Sequence, residues 1–251
     1  MNFPSLDLSR RIVASTLVAS LFAISSAFAG SFGVSPIRLD FDRSAKTGVI
    51  TVANDDESRL SFQMKLMEWT QDPQGVDRYA ESSDLIFFPQ IMTLEPKEKR
   101  IIRVGTKSPP SSGERTYRLF IEEISDANDA KAPGASVAVK LRFGVPLFIA
   151  PAKVEMGGAI IDARLAKGEL QVTVKNSGNQ HFRFETISVK AAGSPVGEVA
   201  GWYLLAGAER SYTIKLDKDA CAKASKLDIG LSADGLELKR EIDVAPALCR
   251  P

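Results

Sequence analysis

From Val137 to Leu147 the chain reads VAVKLRFGVPL, and every odd position is apolar: Val137, Val139, Leu141, Phe143, Val145 and Leu147. The even positions open with Ala138, Lys140 and Arg142. Alternation with period two puts all six apolar side chains on one face of a strand. An average strand has about five or six residues in all, so this face asks for more covering surface than an ordinary strand does. Two cations share its other side.

The same signal recurs in shorter pieces. Segments 33–40, 48–53, 60–69, 85–88, 91–94, 99–106, 116–124 and 137–149 read as strands. Turn residues separate them, among them Asn54-Asp55-Asp56, Asp72-Pro73-Gln74-Gly75 and Pro133-Gly134. Helical spacing is weak throughout, so this series predicts one immunoglobulin-like sandwich. Ala150-Pro151-Ala152 then breaks the pattern, because proline removes a ladder donor. A second series follows at 158–163, 169–176, 182–191, 199–205, 209–215, 226–233 and 237–244. The expectation is an all-β chain of two Ig-like β-sandwiches, over 30–150 and 151–251. No repeat relates the halves.

Residues 1–29 read differently. Arg10 and Arg11 precede an apolar run, 12–24, and Ala27-Phe28-Ala29 forms an A-x-A cleavage site. That is the pattern of a secretory signal peptide, with a mature start at Gly30. No later run reaches the ~18 apolar residues of a spanning helix. The mature chain would carry 30 basic and 30 acidic residues. Zero net charge does not favour a nucleic-acid partner. In an oxidising compartment the two cysteines, Cys221 and Cys249, read as one structural disulfide.

Little in the chain points to catalysis. His181 is the one histidine, which excludes most histidine-based triads and His-rich metal sites unless it serves. Beside a turn in NSGNQHFRF it reads as a surface or packing residue. Asp55-Asp56-Glu57 lacks the spacing of a calcium loop. Glu122 and Glu123 are neighbours on a strand and face opposite ways. Trp69 and Trp202 are isolated and read as core. Neither an enzyme nor a cofactor is expected; a binding protein is. A hydrolase built from carboxylates has no motif to support it.

Four stretches in order are specific: GVSPIRLDFD with GVITVAND, FFPQIMTLEPKEKRIIRV, ERTYRLFIEEI and VAVKLRFGVPLFIAP. Together they resemble the PapD-like periplasmic chaperones of the chaperone–usher pathway, over about Phe32 to Pro151 and more weakly beyond. The resemblance implies two Ig-like domains set at an angle, as in a boomerang. It implies pilus or fimbrial subunits as partners, each lacking its last strand, and an outer-membrane usher that receives them in the periplasm. The chaperone lends its own strand to the subunit's groove, which is strand addition. The donor residues implied here are Val137, Val139, Leu141 and Phe143, with 145–148 assigned to the chaperone's own core. A bare donor strand invites self-pairing, so the free protein is expected to dimerise through it or keep it partly covered.

The family anchors the subunit's C-terminal carboxylate on two cations. Arg38 matches the first; Pro146 stands where the second, a lysine, belongs. A loop closing between Ile124 and Val137 would oppose residues whose numbers sum to about 260, setting Arg118 across from Arg142. Opposed like charges gain from a bound carboxylate. Arg118 and Arg142, with Lys140 nearby and Arg38 contributing, are therefore the expected relocated anchor. These cations being solvated or paired with Glu122 or Glu123 is the plainer reading. Arg103 reads as a structural salt-bridge residue. The missing lysine and GVPLF are similar to the archaic branch of the family, whose subunits resemble spore coat protein U. A secreted two-domain β-sandwich adhesin or envelope-binding protein is the competing function.

Overall fold

The computed structural model describes residues 32–249 apart from 73, 108, 110 and 125–139. The segment expected as a signal peptide and the expected donor residues Val137 and Val139 lie outside the described residues.

Ten strands come before Pro151: β1 (Phe32–Ser35), β2 (Leu39–Phe41), β3 (Thr47–Asn54), β4 (Leu60–Gln71), β5 (Asp77–Glu81), β6 (Leu85–Phe88), β7 (Ile91–Leu94), β8 (Lys99–Thr106), β9 (Arg115–Ile124) and β10 (Arg142–Ile149). One sheet runs β1-β3-β8-β6; the other runs β2-β10-β9-β4-β5, with β7 also on β4. Alternate residues of both sheets fill the space between them. Ile50, Val52, Ile102 and Val104 come from the first; Phe62, Met64, Leu119, Ile121, Val145, Leu147 and Ile149 come from the second.

The segment expected as one strand at 33–40 is two. β1 pairs antiparallel with β3, and after Pro36 the chain crosses to pair β2 parallel with β10. Proline has no N–H for a ladder, so the strand changes sheets there. The short edge strand β5 carries mostly exposed residues, which hid its alternation from the sequence. Described residues of the long alternating strand begin at Lys140, and β10 itself begins at Arg142.

Strands after Pro151 pair only with one another: β11 (Gly158–Ala166), β12 (Glu169–Asn176), β13 (Phe182–Arg183), β14 (Thr186–Ala191), β15 (Ser194–Ala200), β16 (Tyr203–Leu204), β17 (Glu209–Lys215), β18 (Lys226–Ala233) and β19 (Leu236–Asp243). Their sheets run β11-β12-β17, β13-β16 and β15-β14-β18-β19. A short helix, α1 (Lys218–Lys223), is capped by the Asp217 side chain accepting from the Ala220 N–H. It carries Cys221 to Cys249, and the disulfide forms with Cα atoms 5.7 Å apart.

The two cores meet. Trp69 of β4 and Phe148 of β10 pack with Tyr203 and the second core rather than the first. His181 is buried, not on the surface: its ring stacks on Phe148 with centroids 3.7 Å apart, and its Nδ1 lies 2.8 Å from the buried Glu114 carboxylate. Gln71 bonds across with both ends of its amide, to Tyr203 O and Leu205 N.

Candidate functional site

The odd face of β10 divides in two. Val145 and Leu147 are fully buried in the first core; Phe143 only packs against its margin; Leu141 is 37% exposed. Side chains on this face thus leave the protein's own core as the strand is followed back towards its N-terminal end.

The strand also has an open edge. Leu141 O accepts from Glu123 N, so odd residues direct their peptide groups at β9 and even residues direct theirs away. On the away side β2 covers only Leu147 to Ile149. Arg142, Gly144 and Pro146 therefore have no strand beside them among the described residues. Proline at the edge costs no ladder bond. Any strand added here has to stop at Pro146, where β2 begins.

The register corrects the expected opposition of Arg118 and Arg142. Arg142 lies across from Glu122, and Arg118 lies across from Pro146. The two arginines share a face but stand four residues apart along it, about 13 Å at strand rise. They are not opposed. β2 pairs Leu39 with Leu147, so Arg38 comes level with Pro146 on its other side. One row thus reads Arg38, Pro146, Arg118 on adjacent strands, with the two cations' Cα atoms about 10 Å apart.

The cations differ in what already holds them. Arg142 donates from Nε to Glu122 Oε1 at 2.7 Å, and Lys65 takes the other Glu122 oxygen at 3.0 Å. Arg142 is also 53% exposed, its guanidinium over the Phe120 ring. Arg38 donates from Nε to both oxygens of Asp40 at 2.9 and 2.8 Å. Burial pulls its pKa down, but Asp40 and Tyr203 outweigh that and the net shift is upward. Lys140 is exposed, ahead of the strand. Arg118 is different. Its side chain is 14% exposed, and its guanidinium carbon lies 4.1 Å from the Trp69 ring, 5.7 Å from Tyr79 and 5.9 Å from Trp202. Its Nε has no hydrogen-bond partner, and the carboxylate it pairs with, Asp77, stands 3.8 Å away, beyond hydrogen-bond range. Because its Nε is enclosed, the donors Arg118 can present are those of its two outer nitrogens.

Trp69 is core, as its isolation implied; Trp202 is not, being 40% exposed. Gly201 leaves no room for a side chain against Phe184, and its N–H donates to Glu185 O. With Tyr203 buried in β16, the preceding Trp202 faces out beside Arg118. Tyr79, across from Trp69 on β5, is the other ring that sequence reasoning missed, because nothing in the chain places 79 and 202 together. Arg103 is exposed on β8 and makes no ion pair among the described residues, unlike its expected role.

Residues 31–155 match the family model for pili and flagellar-assembly chaperones, PapD N-terminal domain. The chain belongs to the PapD-like family of pilus-assembly chaperones. An LpfB fimbrial chaperone of Escherichia coli O157:H7 is 27% identical over 65% of the chain and 66% of its own length. The chaperone protein LpfB of Salmonella typhimurium strain LT2 is 28% identical over 57% and 60%. The matched stretch is thus under two thirds of either relative. The CsuC–CsuE chaperone–tip subunit complex from the archaic Csu pili of Acinetobacter baumannii has a chain that aligns with a TM-score of 0.58 at 21% identity, over 84% of this chain and 98% of that one. The Salmonella enterica SafB chaperone complex with SafA pilin gives 0.53 at 14%, over 87% and 99%. These likenesses concern the fold. In this PapD-like chain the alternating strand is β10, and Arg38 stands level with Pro146 on it. Among the described residues no helix is long and apolar enough to cross a membrane.

Proposed function

We propose that the protein is a periplasmic chaperone that captures pilus or fimbrial subunits on the open edge of β10 and passes them to an outer-membrane usher. Residues 1–29 direct export, and 30–150 and 151–251 act as its two domains. Val137, Val139, Leu141 and Phe143 enter the subunit's groove; each apolar side chain fully buried there contributes roughly 1.5–3 kcal/mol. The subunit's terminal carboxylate binds Arg118 with Arg38. No catalysis and no cofactor are involved. The absence of a lysine at 146 supports the archaic branch and subunits resembling spore coat protein U.

One observation carries this reading: the open edge ends at Pro146, and the residue across from Pro146 is Arg118, whose paired carboxylate, Asp77, stands 3.8 Å away. The cation has moved from the donor strand to its neighbour, one strand away and level. Arg142 and Lys140 lie further back along the edge and steer rather than anchor.

The test is co-expression of the mature chain with a subunit from its own gene cluster. Leu141→Glu should abolish the complex. Arg118→Gln keeps the side-chain stem and removes the charge; truncating a buried charge partner costs about 2–5 kcal/mol, so affinity should fall at least ~30-fold. Arg142→Ala should change it only a few-fold. If Arg142→Ala is the damaging change and Arg118→Gln is silent, the anchor is misplaced. If Leu141→Glu is also silent, strand donation fails.

A further inference from the structure

Three rings surround Arg118, and two of them are exposed for no reason internal to the fold. Trp69 is buried and serves the core. Trp202 is 40% and Tyr79 38% exposed, and each stands within 6 Å of the guanidinium carbon. Tyr79 belongs to the first series of strands and Trp202 to the second, so the pair brackets the cation from both sides of the junction. Each is held in place. Tyr79 meets Phe120 edge-on at 5.3 Å and donates from its hydroxyl to Asp77 at 3.3 Å. Trp202 meets Tyr203 edge-on at 5.4 Å. Pre-set aromatic rings beside an arginine are the usual makings of an energetic centre in an interface.

We propose that Trp202 and Tyr79 form a clamp that selects the side chain of the subunit's last residue, favouring a flat or bulky apolar one. This rests on Arg118 binding the terminal carboxylate. A carboxylate on the Arg118 fork fixes the last Cα a few ångströms away, so its side chain reaches one ring or the other. Glycine there would leave both rings wet. An aspartate or glutamate would bring a second negative charge against Asp77. The second domain thereby contributes to recognition directly, through Trp202.

The test uses three blocked pentapeptides: Thr-Val-Thr-Val-Phe as the free acid, the same peptide ending in Gly, and the Phe peptide as its amide. Binding to the full mature chain is followed through the indole N–H signals in nitrogen-edited NMR, with the Trp202 signal assigned by Trp202→Phe. The Phe acid should bind about tenfold tighter than the Gly acid and shift the Trp202 signal. Trp202→Ala, with an unchanged melting temperature, should bring the two acids within about twofold while leaving the Gly acid as before. Tyr79→Ala should narrow the gap as well, and decides the matter if Trp202→Ala does not fold. If the two acids bind alike and the amide binds more weakly, the carboxylate site stands and the clamp is overturned. If the acid and the amide bind alike, or neither binds, the carboxylate reading falls and takes the clamp with it.

Discussion

The Tyr212 phenol is enclosed in the second core beside Phe184, and its oxygen has no protein partner. Burial pushes its pKa up to about 12 from an ordinary 10.0, against a small opposing pull from Arg210. Tyr117 moves the same way, through burial and a hydrogen bond to Asp84. The sign follows from which state keeps its protons. Between about pH 10 and about pH 12 the unfolded chain releases phenol protons that the native protein holds. Stability is therefore full below pH 10 and falls as pH rises through that window. Tyr212→Phe should flatten part of this fall in urea titrations at pH 9 to 11, and should cost nothing at pH 7. An unchanged alkaline slope would mean that the phenol is not enclosed in solution. Residue-scale chemistry of this kind was illegible beforehand, and the Arg118 site shows why. Alternation settles which residues share a face, because facing needs only period two. The residue opposite Arg118 needed the register, and the stretch at 125–139 joining β9 to β10 does not fix one from sequence. A slip of four residues preserves every facing and changes every opposite number.

One strand serves two clients. Leu147 is fully buried in the first core, and Leu141 is largely free of it. Leu147→Ala should then cost about 2–5 kcal/mol of stability, read as a lowered urea midpoint. Leu141→Ala should stay within about 0.5 kcal/mol and weaken subunit capture instead. If Leu141→Ala destabilises the free protein as much as Leu147→Ala does, the whole face belongs to the core and the division is wrong. Much at this scale was legible. The alternating run, the break at Pro151 and the two cysteines needed only spacing and turn chemistry. What escaped were short or edge elements. β5 exposes nearly all its residues and so carries no apolar rhythm, and the segment expected at 199–205 merged the end of β15 with β16, because β15 buries little beyond Val196.

Across the whole molecule the junction behaves as core rather than hinge. Trp69 and Phe148 come from strands of the first series yet are buried with Tyr203 and His181 of the second. Glu114 and His181 satisfy one another across the junction: the Glu114 carboxylate meets the His181 backbone N–H and its imidazole Nδ1, and the Glu114 N–H goes to Asn179 O. The turn after β4 closes from the other side. A Cβ at Gly75 would stand 2.6 Å from that of Arg210. Domains move relative to one another by default unless their interface is large and hydrophobic; this one has a buried aromatic centre, flanked by hydrogen bonds made by Gln71 and Glu114. The clamp depends on it, since Trp202 and Tyr79 bracket Arg118 only while the two halves keep their angle. Wild type should therefore unfold in a single calorimetric transition. Glu114→Ala strands the His181 N–H groups in a buried site at about 1–3 kcal/mol each, and should split that transition in two. The same variant should lose the preference for an apolar terminal residue while still recognising a carboxylate, because Arg118 stays on the first domain. Two separated transitions in wild type would instead show that the halves move independently, and the angle would then have to be set by the captured subunit.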